Sequence, residues 1–433
     1  MQGGKAIVPK YVVVGACAAG IGAVEAIREV DPEGTITVIS EEICPQYSRP
    51  MISDFVSGKA DLEKMKTRDD QFWTENKVQA LTGKKAVKLN TAKKAVSLDS
   101  GDKVAYEKLL IATGGKPFVP KMDGSDKEGV FTFTNISDAE RLAAKIDEVK
   151  AKKAVVIGAG LIGISVTEAL VKRGLQVTLV ELQDKILSLI LDPKASDIVE
   201  GIIRKAGVNI VTGQSVQSII GKPEDDLVVG GVVLTKGEYV PCDLVVVAIG
   251  VIPRTELVAG TDVKTNRGII VDNYMQTNIP DVYASGDVAE AYDFVLNQNR
   301  LLPLWPLAVL EGKVAGYNMA GKKTDYTGGT NMSALKYFGI PIVSIGLANP
   351  KEDAALEVLT QQDAEGKVYK KLVLKENVLM GMTFVSDIEK AGILFYLMKN
   401  KVNVKAFKQN LIAENFSLAT LPESIRKQMD IGE

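Results

Sequence analysis

The 433-residue chain contains no histidine. Every mechanism that turns on an imidazole is excluded, the Ser-His-Asp triad among them. Cysteine is almost as scarce. Cys17, Cys44 and Cys242 are widely separated, with no Cys-x-x-Cys pair and no set spaced to ligate zinc or an iron–sulfur cluster. No metal site is expected. The formal net charge is −2, so neither nucleic acid nor an anionic membrane is indicated as a partner. Apolar runs are short and strand-like, such as Leu244–Gly250, well below the ~20 residues that span a bilayer. Residues 1–10 lack the long apolar core of a signal peptide, and the expectation is a cytoplasmic protein. Side chains this poor in redox and acid–base groups point to a bound cofactor as the source of the chemistry.

What the chain does have is two nucleotide-binding fingerprints. The first runs Val12-Val13-Val14-Gly15-Ala16-Cys17-Ala18-Ala19-Gly20, and the second Val155-Val156-Ile157-Gly158-Ala159-Gly160-Leu161-Ile162-Gly163. In each, an apolar run reads as a buried parallel strand. A glycine turn lets the backbone approach a pyrophosphate, and the following helix aims its free N–H groups and positive end at it. The second copy keeps all three glycines, and its next strand, 176–180, ends in Glu181. A carboxylate there accepts hydrogen bonds from the ribose hydroxyls of NAD and repels the 2′-phosphate of NADP, so NAD is expected. The first copy has Cys17 in place of the second glycine, a small side chain that crowds the phosphate approach. Its acidic counterpart is Glu41 or Glu42, after the strand 35–40. Two such units in one chain describe a protein that holds two dinucleotides face to face.

The rest of the chain reads as a repeat of this design. Leu109-Leu110-Ile111-Ala112-Thr113-Gly114-Gly115 is a strand that ends in small residues, with Pro117 and Pro120 marking a crossing to another domain. The stretch Asp243 to Gly250 echoes it and is followed by Pro253, which indicates an internal duplication. Asp281-Val282-Tyr283-Ala284-Ser285-Gly286-Asp287 then places an aspartate after a tight glycine. It can accept from a ribose or ribityl hydroxyl, or simply cap a helix. Trp305, Pro306 and Glu311 follow, either placing a helix against a cofactor or packing in the core. Beyond residue 325, 331–346 and 367–382 read as strands of a mixed sheet, and 387–399 and 403–411 as helices. Lys399, Lys401, Lys405 and Lys408 form either a solvated face or a docking patch for an acidic partner.

The order of motifs, with Tyr47-Ser48-Arg49-Pro50 between the first fingerprint and Ala-Thr-Gly, resembles the FAD-dependent pyridine nucleotide-disulfide oxidoreductase superfamily across essentially the whole chain. The nearest likeness is to the branch without a redox disulfide: rubredoxin and ferredoxin reductases, the FAD portion of nitrite reductase, and NADH-oxidoreductase subunits encoded with carbon monoxide dehydrogenases, tungsten aldehyde oxidoreductases and 2-oxoacid oxidoreductases. The resemblance implies an α/β fold of two Rossmann-like domains plus a C-terminal α+β interface domain. The FAD domain would comprise 1–118 and 248–324, the inserted NAD domain 119–247, and the interface domain 325–433. It assigns Gly15, Cys17, Ala19, Gly20, Glu41 or Glu42, Arg49, Val78, Ala112, Thr113, Gly114, Gly286, Asp287 and Trp305 to FAD. It assigns Gly158, Gly160, Leu161, Ile162, Gly163, Glu181 and Gly250 to NAD. Arg49 suits phosphate. Two departures stand out: Ser165 where many relatives carry a glutamate beside the nicotinamide, and Asp54 near where several carry a lysine close to the flavin.

The implied activity is electron transfer between NADH and an iron–sulfur protein or subunit, in either direction, by a homodimer or a subunit of a larger complex. Hydride transfer to a flavin needs no protein acid or base, in keeping with the missing histidine. Two alternatives stand beside it. One is a cysteine-dependent NADH oxidase or coenzyme A-disulfide reductase that uses Cys44. In those relatives the cysteine lies roughly ten residues past the acidic strand end, a slot near Met51 here. The other is a flavin-binding scaffold subunit.

Overall fold

The computed structural model describes residues 8–43, 46–350 and 353–430. In chain order the elements used below are β1 (Tyr11–Val14), α1 (Ala18–Val30), β2 (Ile36–Ser40), β3 (Val78–Thr82), β4 (Lys108–Ile111), β5 (Val130–Thr132), β6 (Lys153–Ile157), α2 (Leu161–Lys172), β7 (Gln176–Val180), α3 (Pro193–Lys205), β8 (Asn209–Val211), β9 (Leu244–Val247), β10 (Val282–Ala284) and α4 (Trp305–Met319). The C-terminal part adds β11 (Met332–Tyr337), β12 (Ile340–Gly346), β13 (Leu356–Gln362), β14 (Tyr369–Lys375), β15 (Val378–Val385) and α5 (Ala391–Lys399).

The described chain falls into two compact units. One comprises the stretch up to Phe55, Lys59–Pro117 and Val251–Gly329, and the other Val56–Gly58, Phe118–Gly250 and Thr330 onward. The first is built on a five-stranded parallel sheet in the order β10-β4-β1-β2-β3. Strands β1 and β2 are buried at every position, which is why β1 is continuously apolar and β2 carries only the small hydroxyls of Thr37 and Ser40 among its apolar residues. Helix α1 lies against α4, and small residues set the distance. A Cβ on Gly312 would come within 2.0 Å of the Ala19 carbonyl oxygen, one on Gly316 within 2.5 Å of that of Ala23, and one on Gly22 within 2.6 Å of that of Val309.

The second unit repeats the plan in the order β8-β7-β6-β9-β5, again parallel throughout. The duplication read from the echoing motifs is a register match. Ile111 pairs with Val14 as Val247 pairs with Ile157, and the next amide returns a 2.8 Å bond in both copies, Ala112 to Val14 and Ala248 to Ile157. Only the outermost strand differs in origin: β10 follows its partners in the chain, whereas β5 precedes them.

The same unit contains the C-terminal sheet, β11-β12-β15-β14-β13. It is antiparallel throughout and not mixed. Two-residue turns at Phe338-Gly339 and Glu376-Asn377, all four at positive φ, match the twist of adjacent antiparallel strands. Helix α5 falls inside the expected 387–399, but residues 403–411 form no α-helix, only a short 3₁₀ segment at Lys408–Ile412. The sheet is tied to the rest of its unit by buried polar bonds. Tyr369 and Lys371 of β14 reach the Asp192 carboxylate at 2.8 and 2.9 Å, and Ser344 of β12 donates to the Ile190 carbonyl at 2.6 Å.

Candidate functional site

Each fingerprint folds as the strand–turn–helix its pattern predicts, and the turns can be compared residue by residue. In the first unit Gly15 has φ +115°, and a Cβ there would meet the Ala112 carbonyl oxygen at 2.0 Å; one on Gly20 would meet that of Gly15 at 1.9 Å. In the second unit Gly158 has φ +101° and a Cβ there would meet the Ala248 carbonyl oxygen at 2.6 Å; one on Gly163 would meet that of Gly158 at 1.8 Å. These four glycines are demanded by the protein's own backbone. Gly160 is not. Its φ is −79°, it is exposed, and nothing lies within 4 Å of its missing side chain. A glycine there leaves room for something outside the protein.

The helix starts agree. Cys17 and Gly160 are the N-caps of α1 and α2; neither makes a side-chain cap bond, and neither helix has an acid in its first turn. Elsewhere Asn135 accepts from Asp138 N and Asp192 from Ala195 N, while α4 and α5 also start without a side-chain cap. The first N–H groups of α1 and α2 are left for an anion, which fits a dinucleotide pyrophosphate.

In the second unit Glu181 lies immediately past β7. Its carboxylate accepts from Ala159 N in the turn at 2.7 Å and from Gln183 N at 2.8 Å. Leu161 and Ile162, both half-buried, open α2, and Gly250 is exposed at φ +118°. The Leu161 carbonyl accepts from Tyr337 of β11 at 2.9 Å.

In the first unit the structure separates Glu41 from Glu42. Glu41 turns to Lys85 at 3.2 Å and Arg254 at 2.6 Å. Glu42 accepts from the Arg49 guanidinium and, at 2.7 Å, from Tyr47 OH. Arg49 in turn donates from Nε to Cys17 Sγ at 3.3 Å and lies over the Tyr47 ring at 5.6 Å. Cys17, Glu42 and Arg49 are thus one cluster at the mouth of the turn. Burial works against the guanidinium's charge, but Cys17, Tyr47 and Glu42 hold its pKa above the ordinary value. Burial pushes the Cys17 thiol up despite Arg49, so it is not a poised thiolate.

Strand β10 leads to the Gly286–Asp287 turn, where Gly286 has φ +75° and a Cβ would sit 3.2 Å from that of Ala19. Burial raises the Asp287 pKa and the Arg49 charge partly offsets it. Ala112 presents its carbonyl to the Gly15 turn. Thr113 donates to the Arg254 carbonyl at 2.8 Å, and Gly114 follows at φ +69°. Trp305 is the first residue of α4 and packs half-buried on the core. Val78 is not brought to this cluster. It pairs with Ile36 at the N-terminal end of the sheet, whereas the turns sit at the C-terminal end, where Thr82 pairs with Ser40; in a parallel sheet the ligand crevice lies at the carboxyl ends.

The reading from sequence missed how Glu311 of α4 enters the site. It is 1% exposed. It accepts from Gly286 N at 2.8 Å and from Tyr326 OH at 3.2 Å. The signal was available: Ala308, Glu311, Gly312 and Ala315 share the buried face of α4, and a lone acid on such a face has work to do. Cys242 is buried, its thiol pushed up to about 12 by burial. Cys44 lies outside the described residues. No helix among the described residues is long and apolar enough to cross a membrane.

A model of the pyridine nucleotide-disulphide oxidoreductase family matches residues 9–312, and one of the rubredoxin NAD+ reductase C-terminal domain matches residues 332–402. The NADH-dependent phenylglyoxylate dehydrogenase subunit epsilon of Aromatoleum evansii is 33% identical over 408 residues, covering 93% of this chain and 94% of that one. The NAD(P)H nitrite reductase of Bacillus subtilis is 33% identical over 402 residues, 91% of this chain but only 48% of that protein. The solved structure of an NAD-dependent persulfide reductase from A. fulgidus superposes with a TM-score of 0.85 at 28% identity, covering 94% of this chain and 80% of that one. The chain belongs to the pyridine nucleotide-disulphide oxidoreductase family and is an FAD-dependent oxidoreductase of NAD(H).

Proposed function

We propose that the protein exchanges electrons between NADH and an iron–sulfur acceptor, a ferredoxin- or rubredoxin-like protein or a partner subunit, as a cytoplasmic homodimer or part of a larger redox complex. The observation that carries this reading is the pair of uncapped turn-and-helix starts, one with Gly160 open to solvent and the other closed over by Cys17 and Arg49. On this reading residues 1–118 and 248–324 form the FAD domain, 119–247 the NAD domain and 325–433 an interface domain.

Each residue then has a task. Gly160 leaves space for the NAD pyrophosphate, which the N–H groups opening α2, from Leu161 to Gly163, bind. Glu181 orders that turn through Ala159 and accepts the adenosine ribose hydroxyls. In the first unit α1 receives the FAD pyrophosphate, and Arg49 supplies its counter-charge. Glu42, not Glu41, takes the ribose, because Glu41 is committed to Lys85 and Arg254. Asp287 accepts from the ribityl chain. Bound FAD supplies the redox chemistry, trading the electron pair of NADH for single electrons at the acceptor. The Aromatoleum relative, named as a subunit of an NADH-dependent dehydrogenase, and the match to a rubredoxin reductase C-terminal domain support an electron-transfer partner. Of the lysines in the C-terminal patch, Lys408 is paired with Glu357 at 2.7 Å, while Lys399, Lys401 and Lys405 are exposed and available to an acidic partner.

The test is anaerobic mixing of the yellow protein with NADH. Rapid bleaching, followed by reduction of an added ferredoxin or rubredoxin, is expected, and Cys44→Ser should leave both nearly intact. Loss of turnover in Cys44→Ser would transfer the reading to a cysteine-dependent oxidase or disulfide reductase. A yellow protein that NADH does not bleach would be a scaffold.

A further inference from the structure

Glu311 is the most deeply buried carboxylate at the first site, and the proposed reaction makes no use of it. It cannot withdraw to solvent. It sits on α4 beside Gly312, whose missing side chain lets the helix backbone touch that of α1 within van der Waals distance. Both carboxyl oxygens are engaged. One accepts from Gly286 N at 2.8 Å and the other is 3.2 Å from Tyr326 OH. The groups that act on its charge are few: burial raises the pKa most, the Gly286 amide and Tyr326 hydroxyl lower it, and Asp287 raises it, with no cation among them. Beyond Tyr326 lies Asp293, itself buried and 3.6 Å from Arg300; Arg49 acts on Asp287 and not on Glu311. Tyr326 keeps its own proton, since burial and Glu311 both push its pKa up. The result is a carboxyl pushed up to about 8 by burial, which holds its proton below that value and has the Tyr326 hydroxyl directed at its oxygen.

We propose that Glu311 is a proton-holding positioning residue of the FAD site: it fixes, through the Gly286 amide, the turn that presents Asp287, and loss of its proton weakens the hold on FAD. The argument is electrostatic. An anion at Glu311 adds a buried charge on which no cation acts, beside Asp287 and close to where a doubly charged pyrophosphate is to be held. Dinucleotide binding therefore favours the protonated form, and by linkage deprotonation must favour release. This rests on the reading that the Gly286–Asp287 turn contacts FAD.

The experiment follows FAD release from the purified full-length holoprotein into an ultrafiltrate between pH 6 and 9.5. In the wild type the dissociation constant should rise across the pKa of Glu311, by up to about tenfold for each unit by which bound FAD raises that pKa. Glu311→Gln has the shape of the protonated acid, with one oxygen for Gly286 and an amide for Tyr326, but no proton to lose; its FAD retention should be flat over the same range. Tyr326→Phe removes the hydroxyl that favours the anion and should move the midpoint upward. Thermal stability without added flavin gives an independent readout. A carboxyl whose pKa is raised on folding contributes stability at low pH that is lost as pH rises toward 8, and this slope should be shallower in Glu311→Gln. The same pH step in wild type and Glu311→Gln overturns the proposal, as does an unmoved midpoint in Tyr326→Phe should the glutamine variant not fold. A wild-type protein that takes up no FAD at any pH overturns the underlying site reading instead.

Discussion

On the proposed reading Glu181 carries two duties that sequence spacing could not separate. Its position after an apolar strand marked it as a ribose ligand, but the structure shows the same carboxylate also ordering the turn through Ala159 N. Glu181→Gln keeps an acceptor for that amide and removes the charge. The NADH-over-NADPH ratio of kcat/KM should fall by about tenfold, or ~1.4 kcal/mol of discrimination, while the melting temperature changes little; an unchanged ratio would show that Glu181 does not read the ribose. Legibility at this scale depended on whether backbone register alone fixes a side chain. Four fingerprint glycines were readable because the backbone leaves no other choice: Gly15 and Gly158 combine a positive φ with a carbonyl within 3 Å of a would-be Cβ, and Gly20 and Gly163 have a carbonyl within 2 Å of it. Glu41 and Glu42 were not separable, because which of two adjacent acids faces the turn is decided by partners distant in sequence, Arg254 for one and Arg49 for the other. Val78 lies at the opposite end of its strand from the turn, a placement that only its pairing with Ile36 in the sheet reveals.

At the scale of elements, β6, its turn and α2 behave as one device with two kinds of glycine. Gly158→Ala puts a side chain at φ +101° and 2.6 Å from the Ala248 carbonyl, and it should destabilise the second unit by about 1–3 kcal/mol. Gly160→Ala meets no atom of the protein, so its melting temperature should match the wild type or rise slightly, yet its KM for NADH should increase roughly tenfold as the methyl intrudes on the pyrophosphate. Melting curves and steady-state kinetics on the two variants separate the roles; equal KM values for Gly160→Ala and wild type would remove the anion from this turn. Cys17 in the first copy is the natural counterpart of that alanine, with the Arg49 guanidinium donating to its sulfur. Element type was legible wherever the apolar period was unbroken, as in β1, β6 and α5. It failed at residues 403–411, where an apolar rhythm of Val404, Phe407 and Leu411 is buried by turns and a 3₁₀ segment instead. Side-chain burial at a three-to-four spacing does not require a continuous helix.

At the scale of the whole molecule, the C-terminal sheet is grouped with the second nucleotide unit, and the reason is a polar knot no local pattern announces. Asp192 caps α3 through Ala195 N and takes Tyr369 and Lys371 from β14, more than 170 residues away. Burial alone would raise its pKa, but these partners outweigh it and the carboxylate is held below its usual value. Such a group stabilises the fold above its unfolded pKa, and that contribution is lost as pH falls through the folded value. Lys371→Ala leaves Asp192 buried without its cation. Because both side chains are only 9% exposed, the cost should approach the roughly 3–5 kcal/mol of a broken buried pair, not the small value of a surface one. The fold should also lose stability at a higher pH on acidification, because Asp192 then titrates nearer its ordinary range. Lys371→Met tests the cause: it restores much of the lost packing without the charge, so recovery of stability would assign the loss to packing, whereas a persistent acid sensitivity in both variants would assign it to Asp192. Denaturant unfolding at pH 5 and pH 7 distinguishes these outcomes, and wild-type stability in both variants at both pH values would mean that the Asp192–Lys371 pair does not hold the sheet in place.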